Sequence, residues 1–170
     1  MNWKMCVFAV GLSLTLPAWA QSAATSDEPV SNATVDDFVN ALAPKPRTRS
    51  LGRNIKVEPS RIDMTVNFDF DSARLQPESK PMLERLATAL RTDQLLNLRF
   101  QIEGHTDAKG TVRYNDALSQ RRAQAVTDFL AQQGVQHTRL IPVGKGFSEL
   151  LDTNDPTAAR NRRVRVALAE

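Results

Sequence analysis

The residues best suited to chemistry lie in one short loop and in the segment after it. Residues 104–110 (GHTDAKG) contain Asp107, and Asn115, Leu118 and Arg122 follow at spacings of three and four, which places them on one helical face. The N–H groups at the start of such a helix favour an anion, and the planar guanidinium of Arg122 matches a carboxylate. Asp107 offers the complementary site for an ammonium group. The set suits a zwitterion such as an amino acid, although the spacing also allows a structural ion pair between Asp107 and Arg122.

Other kinds of chemistry are less well supported by the same segment. His105 and Asp107 form an H-x-D pair, but two ligands do not complete a metal site, and His137 lies far along the chain. Ser119 with His105 does not supply the nucleophile, base and orienting group of a hydrolase. The arginine-rich run 160–165 could contact nucleic acid, yet alternation within a strand explains it as an exposed face plus one or two structural arginines. We therefore expect no catalysis, metal, cofactor or nucleic-acid partner.

Composition supports these exclusions. The chain has 170 residues, 41% of them hydrophobic, which suits one folded domain plus an appendage. One cysteine and two histidines exclude a disulfide framework and a zinc site built from several such ligands. The net charge of +3, from 22 basic and 19 acidic residues, is small for a dedicated nucleic-acid binder.

The first twenty residues have the pattern of a secretory signal peptide. Lys4 precedes an uncharged, mostly apolar run over 5–16, and Pro17 leads into the small-x-small sequence Ala18-Trp19-Ala20. The run is too short to span a bilayer, which needs about 20 apolar residues. Cys6 stands at the start of the apolar run, whereas a lipidated cysteine would end it. We predict a signal peptide over 1–20, export to the periplasm and no transmembrane segment in the mature chain.

Residues 21–60 have the composition of a proline-rich linker that contains one short predicted helix. Four prolines are spread among polar residues, which is typical of a segment outside a core. Around 34–43, apolar side chains recur at helical spacing behind a capping Thr34: Val35, Phe38, Val39 and Leu42. Two interpretations stay open, because this short helix could dock on its own domain or bind a partner protein.

Residues 61–170 alternate between strand and helix patterns, which indicates one α+β domain. The predicted order is a strand over 61–70, a helix opened by Pro77, a strand over 98–103, a helix over about 114–133, a short edge strand over 140–143 and a strand over 164–168. In the last strand we expect Arg163 and Arg165 to face outward. The order β-α-β-α-β-(loop)-β predicts a sandwich in which helices pack on one mixed four-stranded sheet.

Five blocks of this sequence, in order, carry a resemblance to a known family. They are residues 68–73 (FDFDSA), 104–107 (GHTD), 115–123, 144–146 (GKG) and 161–164 (NRRV). The segment from about residue 62 to 168 resembles the OmpA-like peptidoglycan-binding domain of outer membrane protein A, peptidoglycan-associated lipoprotein and MotB. The resemblance implies non-catalytic binding of the meso-diaminopimelate in the peptide stem, which would anchor the protein or a partner to the cell wall. It also implies a location in the periplasm or at the outer membrane.

The resemblance assigns roles to six residues, and two departures accompany it. Asp107 and Arg122 would be the principal ligand residues, supported by Asn115 and the Leu118 backbone, with Arg162 and Asp71 lining the same pocket. The family's usual Gly-Arg-Ala reads Thr-Ala-Ala at 157–159, and Gln76 replaces a capping Ser or Thr. An alternative function remains from the linker: an assembly protein whose specific role lies in the helix around 34–43, with the wall as anchor only.

Overall fold

The computed structural model describes residues 28–44 and 60–169, so the predicted signal peptide and much of the predicted linker lie outside the described residues. The helices are α1 (Val35–Leu42), α2 (Lys80–Leu90) and α3 (Val112–Gln132). The strands are β1 (Arg61–Met64), β2 (Phe100–His105), β3 (Leu140–Gly146) and β4 (Val164–Leu168). Short 3-10 turns occupy Pro77–Ser79, His137–Arg139 and Ala159–Asn161.

The four strands form one mixed sheet in the order β1-β4-β2-β3. β2 runs parallel to β3 and antiparallel to β4, and β4 pairs antiparallel with β1. This confirms the predicted α+β fold with a mixed four-stranded sheet. β3 lies at an edge, where the missing N–H of Pro142 is tolerated, as the sequence indicated.

The core lies between one face of the sheet and the three helices. The side chains of Phe100 and Ile102 on β2 and of Val164 and Val166 on β4 are buried there. The helical stripes face them, and α2 buries the residues that its 3.6-residue period predicts: Leu83, Leu86, Ala87 and Leu90. Full burial of each large aliphatic side chain stabilises the fold by about 1.5–3 kcal/mol.

The short helix α1 docks on this core, which is the first of the two interpretations left open by the sequence. Phe38 and Leu42 are fully buried, and α1 packs against α2, β1 and β4. The hydroxyl of Thr34 accepts a hydrogen bond from the Asp37 N–H, and the Asp37 carboxylate accepts one from the Thr34 N–H. The apolar side of α1 is therefore occupied by its own domain.

The first strand is shorter than its sequence pattern predicts. β1 ends at Met64 rather than at residue 70, and beyond it Phe68 forms an isolated bridge with Leu75. Asp71 has a positive φ of 51°, which turns the chain back. Phe70, which lies at the end of the predicted strand and continues its apolar alternation, is 100% exposed. The apolar alternation over 66–70 thus continues past the strand into a loop.

Arg163 and Arg165 correct a second expectation, because they do not face solvent. Their side chains are 1% and 10% exposed. The Nε atoms of Arg163 and Arg165 lie 2.6 and 3.1 Å from Oδ1 of Asp63 on β1, and Nη1 of Arg165 lies 3.0 Å from Oε2 of Glu149. The alternating pattern could not show that acidic partners from β1 and from a distant loop cover this face of the sheet.

Two paired glycines let α3 lie directly on the sheet. Gly104 of β2 and Gly144 of β3 are neighbours in the register. A Cβ atom at Gly104 would overlap the carbonyl oxygen of Ser119, and one at Gly144 would lie 2.6 Å from the backbone nitrogen of Gln120. Only glycine allows this approach, which fixes α3 relative to the loop that follows β2.

Candidate functional site

The loop that follows β2 is held at both ends by backbone hydrogen bonds. The N–H of Thr106 donates to the carbonyl of Gly146 at 2.8 Å, and that of Ala108 donates to the carbonyl of Pro156 at 2.9 Å. Asp107 lies between them with a buried side chain, and its Oδ1 accepts a hydrogen bond from the N–H of Lys109 at 3.2 Å. The carboxylate is therefore fixed before any ligand arrives.

Asn115 fastens this loop to the helix. Its buried side-chain nitrogen donates to the carbonyl of Lys109 at 2.7 Å and to that of Thr111 at 3.2 Å. Thr111 caps α3, because its hydroxyl accepts a hydrogen bond from the N–H of Tyr114. Leu118 is buried one turn further along. Asn115, which the resemblance assigns to support of the ligand, thus uses its amide nitrogen to hold the loop in place.

Arg122 is held in place by uncharged groups. Among the described residues, no carboxylate bonds directly to its guanidinium. Its Nε donates to the carbonyl of Ser72 at 3.1 Å, and its guanidinium carbon lies 4.9 Å from the ring centroid of Phe68. Burial lowers the pKa of Arg122, and the charge of Arg162 acts in the same direction, while Asp107 and other neighbours oppose it. A carboxylate ligand would be attracted to this partly desolvated cation.

Asp107 forms its ion pair with Arg162, not with Arg122. Nη1 of Arg162 lies 2.8 Å from Oδ2 of Asp107, and the Arg162 side chain remains 46% exposed. Within the part of the chain that the structure describes, no ion pair joins Asp107 to Arg122. The simple structural pair that the spacing allowed is therefore not formed.

Asp71 completes the set from the loop after β1. Its carboxylate accepts a hydrogen bond from the hydroxyl of Tyr114. This bond raises the pKa of the Tyr114 hydroxyl, because ionisation would place a second negative charge beside the carboxylate. The bond joins the loop that carries Phe70 to the start of α3.

These residues line one open cleft of about 670 Å³, named the main cleft below. All six residues singled out by the sequence lie on its wall: Asp71, Asp107, Asn115, Leu118, Arg122 and Arg162. The remaining wall is formed by Phe68, Asp69, Phe70, Thr106, Lys109, Gly110 and Tyr114. The wall holds three acidic and three basic side chains, so its formal charge is balanced. A cleft with separated charges of both signs can bind a group that carries both.

Comparison with known protein families shows to which family the chain is related. The OmpA family matches residues 67–164. The chain belongs to the OmpA family. The match covers the loop after β1, the loop after β2, α3 and the start of β4, so every wall residue of the main cleft lies inside it.

Relatives and solved structures agree with this OmpA-family assignment. The chain is 39% identical over 106 residues to the peptidoglycan-associated lipoprotein of Pseudomonas aeruginosa, covering 61% of each chain. It is 32% identical over 167 residues to outer membrane porin F of the same species, covering 91% of this chain and 47% of the relative. The chain thus spans about half or less of the length of the first curated relatives.

Two solved structures share the fold, each with about one third of its residues identical to this chain. The cell wall anchor of the T6SS from Pseudomonas aeruginosa is 34% identical with a TM-score of 0.55, covering 67% of this chain and 84% of that chain. The peptidoglycan-associated lipoprotein from Burkholderia pseudomallei is 33% identical with a TM-score of 0.53, covering 61% of this chain and 88% of that chain. The resemblance inferred from the five sequence blocks is confirmed.

Several cleft residues of this OmpA-family domain were not singled out as ligand candidates. Tyr114 and Lys109 directly flank the predicted positions, but their types alone do not show that they face the cleft. Phe68 lies within the predicted strand over 61–70, and in the structure it supports the guanidinium of Arg122 from a loop. The Arg162 contact with Asp107 joins residues 55 positions apart, so the local spacing carried no signal for it.

A second group of charged side chains lies on the sheet face opposite the helices. Ligand atoms of Glu103, His105 and Glu149 fall within 4.8 Å of one another, a set that could hold a metal ion. However, Nζ of Lys145 lies 2.9 Å from Glu149 and 3.6 Å from Glu103, and Nη1 of Arg165 lies 3.0 Å from Glu149. These cations already balance the carboxylates, so a metal ion would have to displace them.

His105 and Glu103 are the two buried members of this group. The Nε2 of His105 lies 3.5 Å from Oε2 of Glu103, which is long for a hydrogen bond. Burial lowers the pKa of His105, and the charges of Arg163 and Arg165 add to this effect against the opposing carboxylate of Glu103. The imidazole is therefore neutral at neutral pH.

Across the described residues, no helix is both long and apolar enough to cross a membrane.

Proposed function

We propose that this OmpA-family domain binds peptidoglycan without catalysis, through the meso-diaminopimelate of the peptide stem, and so anchors the protein or a partner to the cell wall. The observation that carries the proposal is the main cleft, where a fixed carboxylate at Asp107 and a partly buried guanidinium at Arg122 face one charge-balanced space. The free end of diaminopimelate carries one ammonium and one carboxylate group, which matches this pair in number and sign. The names of the relatives, a peptidoglycan-associated lipoprotein and a cell wall anchor, agree with it.

The two ends of the ligand would be recognised differently. The carboxylate would pair with the guanidinium of Arg122, which Ser72 and Phe68 hold in place, so little side-chain entropy is lost on binding. The ammonium would share the carboxylate of Asp107 with Arg162, or displace that half-exposed side chain. The cleft wall is polar and the charged ends of the ligand are hydrated before binding, so we expect a modest affinity. The role of these residues is electrostatic recognition, with no bond made or broken.

The proposal places the protein in the cell envelope. The predicted signal peptide over 1–20 would export the chain to the periplasm, where the wall is accessible. The wall-bound domain could then hold the mature chain, or a protein attached to it, near the outer membrane.

The alternative, a partner-binding helix around 34–43, has less support. Its stripe of apolar side chains is the surface that a partner would need, and Phe38 and Leu42 of that stripe are in the domain core. An interaction through this segment would have to use its exposed polar side. Wall binding therefore remains the function that the geometry supports best.

A cell-wall pull-down tests the proposal. Purified wild-type chain, Arg122→Ala and Asp107→Asn are incubated with isolated peptidoglycan, and the sedimented fraction is measured. We expect both variants to lose most retention, because each removes one charge of the pair. Arg121→Ala is the matched control, since it removes an exposed arginine from the neighbouring position of α3. Undiminished retention of both site variants would contradict the proposal, and release of soluble muropeptides by the wild type would contradict its non-catalytic part.

A further inference from the structure

A second hollow adjoins the main cleft and shares both of its arginines. This side hollow has a volume of about 280 Å³ and is bounded by Thr65, Asn67, Gln76 and Ala159, together with Arg122 and Arg162. Phe68 also lies on both walls. A ligand bound at Arg122 in the main cleft would therefore lie next to the side hollow.

The side hollow differs from the main cleft in charge. The main cleft balances its bases with Asp69, Asp71 and Asp107, whereas the described residues that line the side hollow include two arginines and no acidic side chain. Of these two arginines, Arg162 is paired with Asp107 of the main cleft. The two arginines repel each other, and the charge of Arg162 contributes to the lowered pKa of Arg122 after the larger effect of burial. An anionic group between them would relieve this repulsion.

The rest of this wall is uncharged and able to hydrogen-bond. Gln76 precedes the 3-10 turn Pro77–Ser79, but its side chain makes no capping bond. Its backbone N–H donates to the carbonyl of Asn67 at 3.0 Å, and the N–H of Asn67 donates to the hydroxyl of Ser79 at 2.8 Å. The backbone beneath the two amide side chains is thus fixed, and amide N–H groups are donors suited to a carboxylate.

We propose that the side hollow binds a second carboxylate of the same ligand, an inference that rests on the proposed binding of diaminopimelate in the main cleft. In the peptide stem, the γ-linked D-glutamate next to diaminopimelate keeps its α-carboxylate free. This group is anionic, adjacent in the chain and absent from free diaminopimelate. Arg122 and Arg162 would then recognise two consecutive residues of the stem, and Gln76 would contribute to specificity.

Calorimetric titration of the full chain with three ligands tests this proposal. The ligands are free meso-diaminopimelate, the tripeptide L-Ala–γ-D-Glu–meso-diaminopimelate, and the same tripeptide with the glutamate α-carboxylate amidated. We expect the unmodified tripeptide to bind about 10-fold more tightly than the amidated one, the effect of one charge-assisted interaction. Gln76→Glu places a negative charge in the side hollow, so it should weaken the unmodified tripeptide by about 10-fold and free diaminopimelate by less than about 2-fold.

Gln94→Glu is the matched control, since it makes the same change at an exposed position beyond the far end of α2. It should leave all three affinities at the wild-type values. Equal affinity of the wild type for the two tripeptides would overturn the side-hollow proposal while leaving the proposed function intact. An equal loss for free diaminopimelate and tripeptide in Gln76→Glu would also overturn it. Failure of the wild type to bind any of the three ligands would overturn both proposals.

Discussion

Gly104→Ala tests whether the close contact between α3 and the sheet sets the geometry of the main cleft. The added Cβ would lie 3.0 Å from the carbonyl carbon of Ser119 and 3.3 Å from its Cα, and would overlap the carbonyl oxygen. Ordinary contacts between such atoms need about 3.5–4.0 Å. Since every close atom belongs to the backbone, no side chain can rotate away. The helix must therefore retreat from β2 by on the order of 1 Å.

The free energy of unfolding falls because the retreat of α3 weakens its contacts with the sheet. Overpacked cores lose about 1–3 kcal/mol, and a clash against rigid backbone belongs at the upper end, so we expect about 3 kcal/mol of lost unfolding free energy. Urea unfolding followed by far-ultraviolet circular dichroism measures it. Because Arg122 lies one turn beyond Ser119, the remaining folded protein should also bind meso-diaminopimelate about 10-fold more weakly, as for the loss of one charge-assisted hydrogen bond.

Gly134→Ala provides the comparison. Gly134 follows α3 with a φ of 91°, so alanine there is strained by about 1 kcal/mol without any backbone clash. It should leave ligand affinity unchanged. If Gly104→Ala costs no more than Gly134→Ala, and binds the ligand equally well, the glycine contact does not position the site.

Three further predictions concern the core and the charged face of the sheet. Asp63→Ala should cost about 3 kcal/mol in urea unfolding, because it leaves the buried guanidinium of Arg163 without its carboxylate; a loss below about 1 kcal/mol would contradict this. Phe38→Ala should cost about 3–5 kcal/mol by the same assay, and a loss under about 1 kcal/mol would mean that α1 is dispensable to the core. Because the pKa of His105 is lowered in the folded protein, the unfolded chain takes up a proton at a higher pH than the folded one. The free energy of unfolding therefore falls as the pH drops below about 6.5. His105→Gln should flatten the change in unfolding free energy between pH 7.5 and 5.5, and an unchanged slope would refute this assignment.

The sequence predicted best those features whose signal is local. The apolar periods of α2 and the terminal strand, and the loop–helix spacing from Asp107 to Arg122, each depend on neighbours within one or two turns. The end of the first strand was missed because Phe68 and Phe70 continue the apolar alternation after the backbone has left the sheet. Only the turn at Asp71 reveals the change, and an aspartate does not require a positive φ.

Long-range pairing explains the other differences. In the sequence, Arg163 and Arg165 have the pattern of a solvent-exposed strand face. In the fold, Asp63, about 100 residues earlier, and Glu149 lie beside them and pair with their charges. The partner of Asp107 is likewise Arg162 rather than the helical neighbour Arg122. Charge pairs between distant segments depend on topology, so a single sequence can name the charged residues without naming their partners.

The docking of the segment before α1 has a consequence for aggregation. β1 is an edge strand, and an edge with unpaired N–H and C=O groups can recruit a strand from another molecule. Val30 occupies this edge, donating to the carbonyl of Asp63 and accepting from the N–H of Thr65, each at 2.9 Å. At the opposite edge, Pro142 interrupts the donors of β3. The lead segment thus shields one side of the sheet, and shortening it past Val30 would expose a template for intermolecular strand pairing while leaving every residue of the main cleft in place.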